Sequence, residues 1–238
     1  MPRARFAQLA ETRRAEIFAV AAEEFGKNGY HGTSYNALLA RLGLGKSSAY
    51  YYFEDKADLF QAVVADRYRA FFDSVGEPAA PEAPHEFWDF ITEINRRGFE
   101  FMLDDPSSAA LMQCLVREAA SLDASLSSEQ ILTAMDEYHR KVLALGQALG
   151  AVRSDLPLER LILLSRALAS TLDQAFVAEV RAVGTAAAST RVRTMAVECT
   201  ELLRRLLEPG PAERPASAAR AQSRGKVVAS KKKKRKSP

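Results

Sequence analysis

The chain has 238 residues, of which 47% are hydrophobic and 26% charged, and its formal net charge is +3. This length allows one large domain or two smaller ones, and the apolar content excludes a chain that is disordered throughout. No apolar run reaches the length of a membrane span and no signal-peptide stretch follows Arg3 and Arg5, so we expect a cytoplasmic protein.

Apolar residues recur at helical spacing along almost the whole chain, and no segment shows sustained strand alternation. We therefore expect an all-α fold of about nine helices. The N-terminal part is predicted to hold a helix that ends near Gly26 and Gly29, a second that starts at Thr33 or Ser34, a tight turn at Gly43, and a short third helix over about residues 46–53.

The remaining helices follow a predicted fourth helix over about residues 56–75 and a Pro/Gly-rich loop over 76–84. The next predicted helix ends at about Leu103, and the one after it begins at Asp105 and Pro106. A longer helix is predicted from a Ser127–Gln130 capping box to Gly150. The last two are predicted from Asp155 and Pro157 to Gly184 and from about Thr190 to Pro209. This organisation predicts an N-terminal helix-turn-helix domain over 1–56, a helical body over 57–208, and a tail over 209–238.

Charge is distributed unevenly over these three parts: +2 over residues 1–56, −8 over 57–208 and +9 over 209–238. Phosphate contact is therefore expected at the two ends of the chain and not in its middle. The tail ends in a run of lysines and arginine over 231–236, and its composition predicts disorder. It is either a nonspecific nucleic-acid arm or a solubilising end.

Polar and phenolic side chains follow residue 33, where a helix-turn-helix would meet DNA. A helix N-terminus favours phosphate, because its first backbone N–H groups are unpaired and its dipole is positive there. Small hydroxyl side chains permit close approach to a groove, and lysine and tyrosine can donate to phosphate oxygens. The predicted DNA contacts are Ser34, Tyr35, Asn36, Gly45, Lys46, Ser47, Ser48, Tyr50, Tyr51, Tyr52 and Lys56.

Three adjacent tyrosines occupy positions 50–52. Successive helical residues point about 100° apart, so one or two of these phenols must face outward, while Ala49 and Phe53 are better placed for the core. The alternative is an ordinary surface helix with an aromatic core stripe, which fits the preceding Gly-Lys-Ser-Ser poorly.

The run from Gly43 to Phe53, together with Lys56 and Leu59, resembles the signature of the tetracycline-repressor (TetR) family of bacterial transcription regulators. The resemblance is specific over about residues 13–60, with departures at Asn36, Ala37, Leu39 and Gly45. It implies an all-α homodimer with an N-terminal helix-turn-helix and a C-terminal ligand-binding and dimerisation body. It also implies that Ser48, Tyr50, Tyr51, Tyr52 and Lys56 occupy positions that commonly touch DNA.

Leucine stripes on the last two long helices suit a four-helix interface between two subunits, although the same leucines also fit an intramolecular core. The predicted dimer residues are Leu161, Leu164, Leu168, Leu172, Cys199, Leu202 and Leu206. Two linked reading helices would bind the half-sites of a palindromic operator roughly 34–36 Å apart.

Aromatic, flexible apolar and polar residues of the body are candidates for a mostly apolar effector cavity, although most residues of this kind belong to the hydrophobic core. The predicted set is Phe87, Ile91, Phe99, Met102, Met112, Gln113, Tyr138, His139 and Gln174. The two cysteines, Cys114 and Cys199, have no metal or redox spacing and read as small buried apolar residues. No metal or other cofactor is expected.

These features predict a ligand-responsive, sequence-specific DNA-binding regulator, most simply a repressor that a small apolar or amphipathic effector releases from its operator. The alternative is a constitutive or architectural DNA-binding protein that uses the basic tail. No nucleophile elbow, phosphate loop or paired catalytic carboxylates are present, so an enzyme is not expected.

Overall fold

The structure, a computed structural model, describes residues 2–76, 78–118 and 129–210. Over these ranges the chain is all-α, as predicted, and its helices are α1 Ala4–Ala7, α2 Glu11–Gly32, α3 Tyr35–Arg41, α4 Lys46–Tyr52, α5 Lys56–Val75, α6 Glu86–Asp104, α7 Pro106–Glu118, α8 Glu129–Ala148, α9 Leu158–Val183, α10 Thr185–Ser189 and α11 Val192–Leu207. The predicted Ser127 cap and nearly all of the basic tail lie outside the described residues.

The described helices exceed the predicted nine because α1 and α10 are single turns of four and five residues. Elements this short carry too little periodicity to be recognised in a sequence. The first predicted helix also extends beyond its expected end, since α2 continues to Gly32 through a kink at Gly29, where φ is 75° and ψ is 169°.

Side-chain caps fix several helix starts where the sequence predicted them. Ser34 Oγ accepts the backbone N–H of Ala37 at the start of α3, and Asp105 Oδ1 accepts that of Ser108 at 3.0 Å at the start of α7. Between α3 and α4 the chain reverses at Gly43, whose φ of 62° is unfavourable for residues with a Cβ atom. These local signals set the lengths of the short helices near the N-terminus.

The first core cluster packs the N-terminal helices against α5 and α7. Its fully buried side chains include Ile17 and Phe25 of α2, Phe53 after α4, Phe60 of α5 and Leu111 of α7. The N-terminal helices therefore share a core with the first helices of the body, which gives movements of the body a direct mechanical route to them.

The second core cluster joins α6, α8, α9 and α11. Phe87, Leu161 and Phe176 are completely buried in it, and the rings of Phe99 and Phe176 pack with their centroids 4.7 Å apart. This cluster is therefore the core of the C-terminal part of the body.

Helix α9 has an unusual composition for an otherwise charged chain. It is long and apolar enough to cross a membrane by length and composition alone, with a mean hydropathy of 1.3 over its most apolar window, of which only 28% is buried. The scattered charges of α9, Arg160, Arg166 and Asp173 among them, conceal this from inspection of the sequence. The core helix of a folded protein passes the same test, so one such helix carries little weight as a membrane span.

Candidate nucleic-acid interface

The outward face of α4 is built as the helical spacing predicted. Ala49 and Phe53 are 1% and 0% exposed, and Phe53 anchors the helix in the first core cluster. Tyr50 and Tyr51 are 52% and 53% exposed, whereas Tyr52 is partly buried against the same cluster. Two phenols therefore project from the surface and the third serves mainly as packing.

The start of α4 completes this face. Gly45, Lys46, Ser47 and Ser48 are all exposed, and Gly45, as the N-cap residue, offers no side-chain bond to the first backbone N–H groups. Those N–H groups remain available to an outside acceptor such as a phosphate oxygen. The face thus combines one cation, two small hydroxyls and two phenols on a single short helix.

Helix α3 contributes fewer outward groups than predicted. Ser34 and Asn36 are exposed as expected, but the hydroxyl oxygen of Tyr35 is buried without a hydrogen-bond partner among the described residues. Burial, followed by the neighbouring Tyr50, Asp55 and Asp58, raises the pKa of Tyr35 to about 12. The structure thus places Tyr35 in an inward-facing packing position, which does not favour the predicted DNA contact.

Helix α3 is attached to α2 by surface ion pairs. The Arg41 guanidinium donates to Glu24 and, at 2.8 Å, to Glu23, and Arg13 of α2 donates to the carbonyl of Leu42 at the end of α3. Exposed pairs of this kind stabilise by at most ~1 kcal/mol each. Their main effect is to set the orientation of α3 relative to α2.

Lys56, predicted to hold a phosphate, is engaged inside the protein. Its Nζ donates to the carbonyl oxygen of Tyr30 at 2.8 Å and to that of Thr33 at 3.1 Å, and it lies 4.3 Å from the centroid of the Tyr30 ring. Burial lowers the pKa of this ammonium. The structure therefore gives Lys56 a structural position, in which it joins the end of α2 and the start of α3 to α5.

Replacing Lys56 by methionine is expected to lower the free energy of unfolding by roughly 1.5–3 kcal/mol, because the variant cannot form the two charge-assisted hydrogen bonds to backbone carbonyls. The salt dependence of DNA binding should stay unchanged, since no phosphate contact is removed. Chemical denaturation and binding titrations at several salt concentrations measure the two effects. The matched variant Lys46→Met should show the opposite pattern, and a Lys56 variant that is fully stable but less salt-dependent would return this residue to the DNA interface.

The body contains an open cavity of about 430 Å³ between the end of α5, the following loop, α6 and α8. Its lining residues are Phe72, Gly76, Pro78, Ala80, Phe90, Glu137, Tyr138, Lys141, Val142 and Leu145. Its size and mostly apolar wall, with a few polar groups, are typical of small-molecule sites. Of the predicted effector residues, only Tyr138 lines this cavity. Its other aromatic residues, Phe72 and Phe90, were not predicted, and the only sequence signal for them is that they flank the Pro/Gly-rich loop.

A second, smaller cavity of about 90 Å³ lies among α6, α8, α9 and α11. Four of the predicted residues, Phe87, Ile91, Tyr138 and His139, line it, and Tyr138 thus borders both cavities. His139 Nδ1 lies 2.8 Å from the Met135 carbonyl oxygen, and burial lowers the pKa of this imidazole.

The other predicted effector residues line neither cavity. Phe99 packs on Phe176, and Gln113 donates to the backbone carbonyl of Asp173 at 3.2 Å. Gln174 is exposed, while Met112 and Met102 pack against the first and second core clusters, respectively. Of the nine predicted effector residues, the two cavities therefore bring together Phe87, Ile91, Tyr138 and His139.

The exposed large apolar side chains of the described residues fall into two groups. Tyr50 and Tyr51 lie on α4, and the others lie on α9 and α11: Leu163, Leu164, Val183, Val197 and Leu202. We call the second group the α9–α11 face. Of the predicted dimer residues, Leu164 and Leu202 belong to this face. Leu161 and Cys199 are buried inside the chain, at 0% and 4% exposure. The remaining three are partly buried against the second core cluster: Leu168, Leu172 and Leu206.

Comparisons with known proteins agree with this arrangement. Residues 17–63 match the family model of bacterial regulatory proteins of the tetR family. A TetR family transcriptional regulator from Chloroflexus aurantiacus has a similar structure, with a TM-score of 0.65, 22% identity, and coverage of 87% of this chain and 98% of the other. The tetR regulator TylP from Streptomyces fradiae gives a TM-score of 0.58 at 21% identity over 84% and 88% of the two chains. PfmR from Thermus thermophilus gives 0.57 at 18% identity over 79% and 97%.

Proposed function

Because the chain carries the N-terminal region and the fold of the tetR family of bacterial regulatory proteins, we propose that it is a DNA-binding transcriptional regulator that reads a palindromic operator as a homodimer. The exposed face of α4 carries the proposal. Its phenols, hydroxyls and lysine project from a helix whose opposite side, Ala49 and Phe53, is fixed in the core. That geometry presents polar groups to a major groove without moving the helix.

The proposal is tested by selecting DNA fragments with the purified protein and footprinting the selected site. A discrete protected site with two-fold symmetry is expected. Lys46→Met should weaken binding and reduce the dependence of log K on log salt by about 0.9 for each phosphate that this lysine neutralises. The control is Arg69→Met, an exposed cation of the body, which should leave both values unchanged. Sequence-independent binding would instead favour the architectural alternative, to which the lysine-rich tail points.

Regulation by a small effector is the second part of the proposal. The 430 Å³ cavity offers apolar walls with Tyr138, Glu137 and Lys141 among its lining residues, which suits an apolar or amphipathic molecule. Phe72 of α5 lines this cavity, and Lys56 at the other end of α5, roughly 24 Å away along the helix, holds the ends of α2 and α3. One helix thus connects the cavity to the ends of α2 and α3, beside the helix that carries the exposed face.

An effector that binds one position of α5 better than another shifts the balance between these positions. We propose that it weakens operator binding by changing the spacing of the two reading helices, so that the protein acts in the cytoplasm as a repressor and has no catalytic role. Linkage requires DNA to weaken effector binding by the same factor. A broad panel of apolar and amphipathic compounds without effect on operator binding would favour a constitutive binder.

A further inference from the structure

The first residues of the chain are held against α4. We call residues 2–8 the N-terminal arm. Phe6, 4% exposed, is its anchor, and the centroid of its ring lies 4.8 Å from that of Phe53 and 5.0 Å from that of Phe18. Arg14 of α2 also donates to the carbonyl of Ala7 at 2.8 Å. The arm is therefore an integral part of the N-terminal fold.

Arg3 bonds the C-terminal end of α4 twice. Its backbone N–H donates to the carbonyl of Tyr52 at 2.9 Å, and its guanidinium donates to the carbonyl of Tyr50 at 2.8 Å. The last carbonyls of a helix have no partners within the helix, and a cation near them is favoured by the helix dipole. Arg3 thus positions the helix that carries the outward phenols.

Arg5 lies directly beside one of those phenols, Tyr51. Its guanidinium carbon is 4.8 Å from the centroid of the Tyr51 ring, a cation–π distance. The side chain is exposed, and within the described part of the chain it forms no ion pair with a carboxylate. Stacking on Tyr51 restrains the guanidinium while its N–H groups remain free to donate outward.

We infer that the N-terminal arm belongs to the DNA-reading surface: Arg5 donates to a backbone phosphate next to the contacts of Tyr50 and Tyr51, and Arg3 positions the end of α4. The inference rests on the proposed function, since it takes DNA as the partner of the α4 face. It adds to that face a second strong cation besides Lys46, on a segment separate from the helix-turn-helix. Guanidinium is well suited to this task because its planar donors match a phosphate.

The test compares Arg5→Ala with Arg69→Ala, another exposed arginine without an ion pair among the described residues. Operator binding is titrated by fluorescence anisotropy between about 50 and 200 mM salt, a range over which phosphate contacts change affinity strongly. For a dimer with two copies of Arg5, the variant should bind roughly tenfold or more weakly and its log K–log salt slope should fall by about 1.8. Arg5→Lys should recover the slope and only part of the affinity.

Arg3→Ala should weaken binding while leaving the slope changed by less than in Arg5→Ala, and its thermal unfolding should confirm that it is folded. If Arg5→Ala matches Arg69→Ala in affinity and slope while the wild-type protein binds its operator, the inference is overturned and the proposed function stands. If Arg5→Ala binds more weakly with an unchanged slope, the arm has a packing role only and the phosphate contact is overturned. A wild-type protein that protects no discrete site overturns the proposed function itself.

Discussion

Replacing Leu163 and Val197 together by glutamate is expected to convert the protein to a monomer and to weaken operator binding by at least about 10²-fold. These two apolar side chains are 66% and 53% exposed and belong to the α9–α11 face. In a two-fold interface each substituted residue recurs on the partner, so the variant buries several like charges in an apolar contact. Loss of the second reading helix then removes the gain from binding two half-sites on one molecule.

Light scattering measures the mass, which should fall to the 26.2 kDa of a single chain, and anisotropy titration measures the affinity. Ala144→Glu, which adds a single negative charge at an exposed position of α8, should change neither. A double variant that stays dimeric would show that the interface lies elsewhere on the chain. A wild-type protein that is already monomeric would remove dimerisation from the proposed function.

Gly29→Ala is expected to lower the free energy of unfolding by about 2–3 kcal/mol, because backbone angles of the kind found at Gly29 are accessible essentially to glycine alone. An added Cβ atom would also overlap the Glu118 carboxylate, which accepts the backbone N–H of Tyr30 at 3.0 Å. For a chain of this size the midpoint of thermal unfolding should fall by roughly 4–12 °C.

Thermal unfolding followed by circular dichroism measures this effect. Gly32→Ala, three residues away, is the control, because a Cβ atom there would meet only Asn28 at an ordinary contact distance of 3.7 Å. Equal stability of the two variants would mean that the kink in α2 relaxes without cost. Because the kink lies where α2 meets α7, a strong effect would identify this junction as a rigid connection between the N-terminal helices and the body.

Helical spacing was sufficient to predict which side chains of α4 face outward. The 100° rotation per residue correctly separated Ala49 and Phe53 from the outward Tyr50 and Tyr51. The same rule places Tyr35 inward, since it shares the i, i+3, i+4, i+7 spacing of one helix face with Leu38, Leu39 and Leu42. Its position near the helix start favours an outward contact, but the periodicity decides the direction of its side chain.

Other parts of the site depend on contacts between distant segments. The acceptors of Lys56 are carbonyls 26 and 23 residues away, a pairing that no local pattern indicates. Leu161 and Cys199 show why a leucine stripe cannot by itself distinguish a subunit interface from the core, as both require the same apolar face. The N-terminal arm leaves no signal in the sequence, because the single buried ring of Phe6 sets up no period.

The position of Lys56 also limits how an effector can act. One ammonium group ties together three segments: the last turn of α2, Thr33 in the connection between α2 and α3, and the beginning of α5. Partial melting of the DNA-reading region would have to break these bonds and expose the shared core, which is far costlier than rotating the region as a block. Effector binding should therefore leave the contacts of each subunit with its half-site intact and change only whether both half-sites can be bound at once. We expect the effector-bound dimer to bind a single half-site weakly.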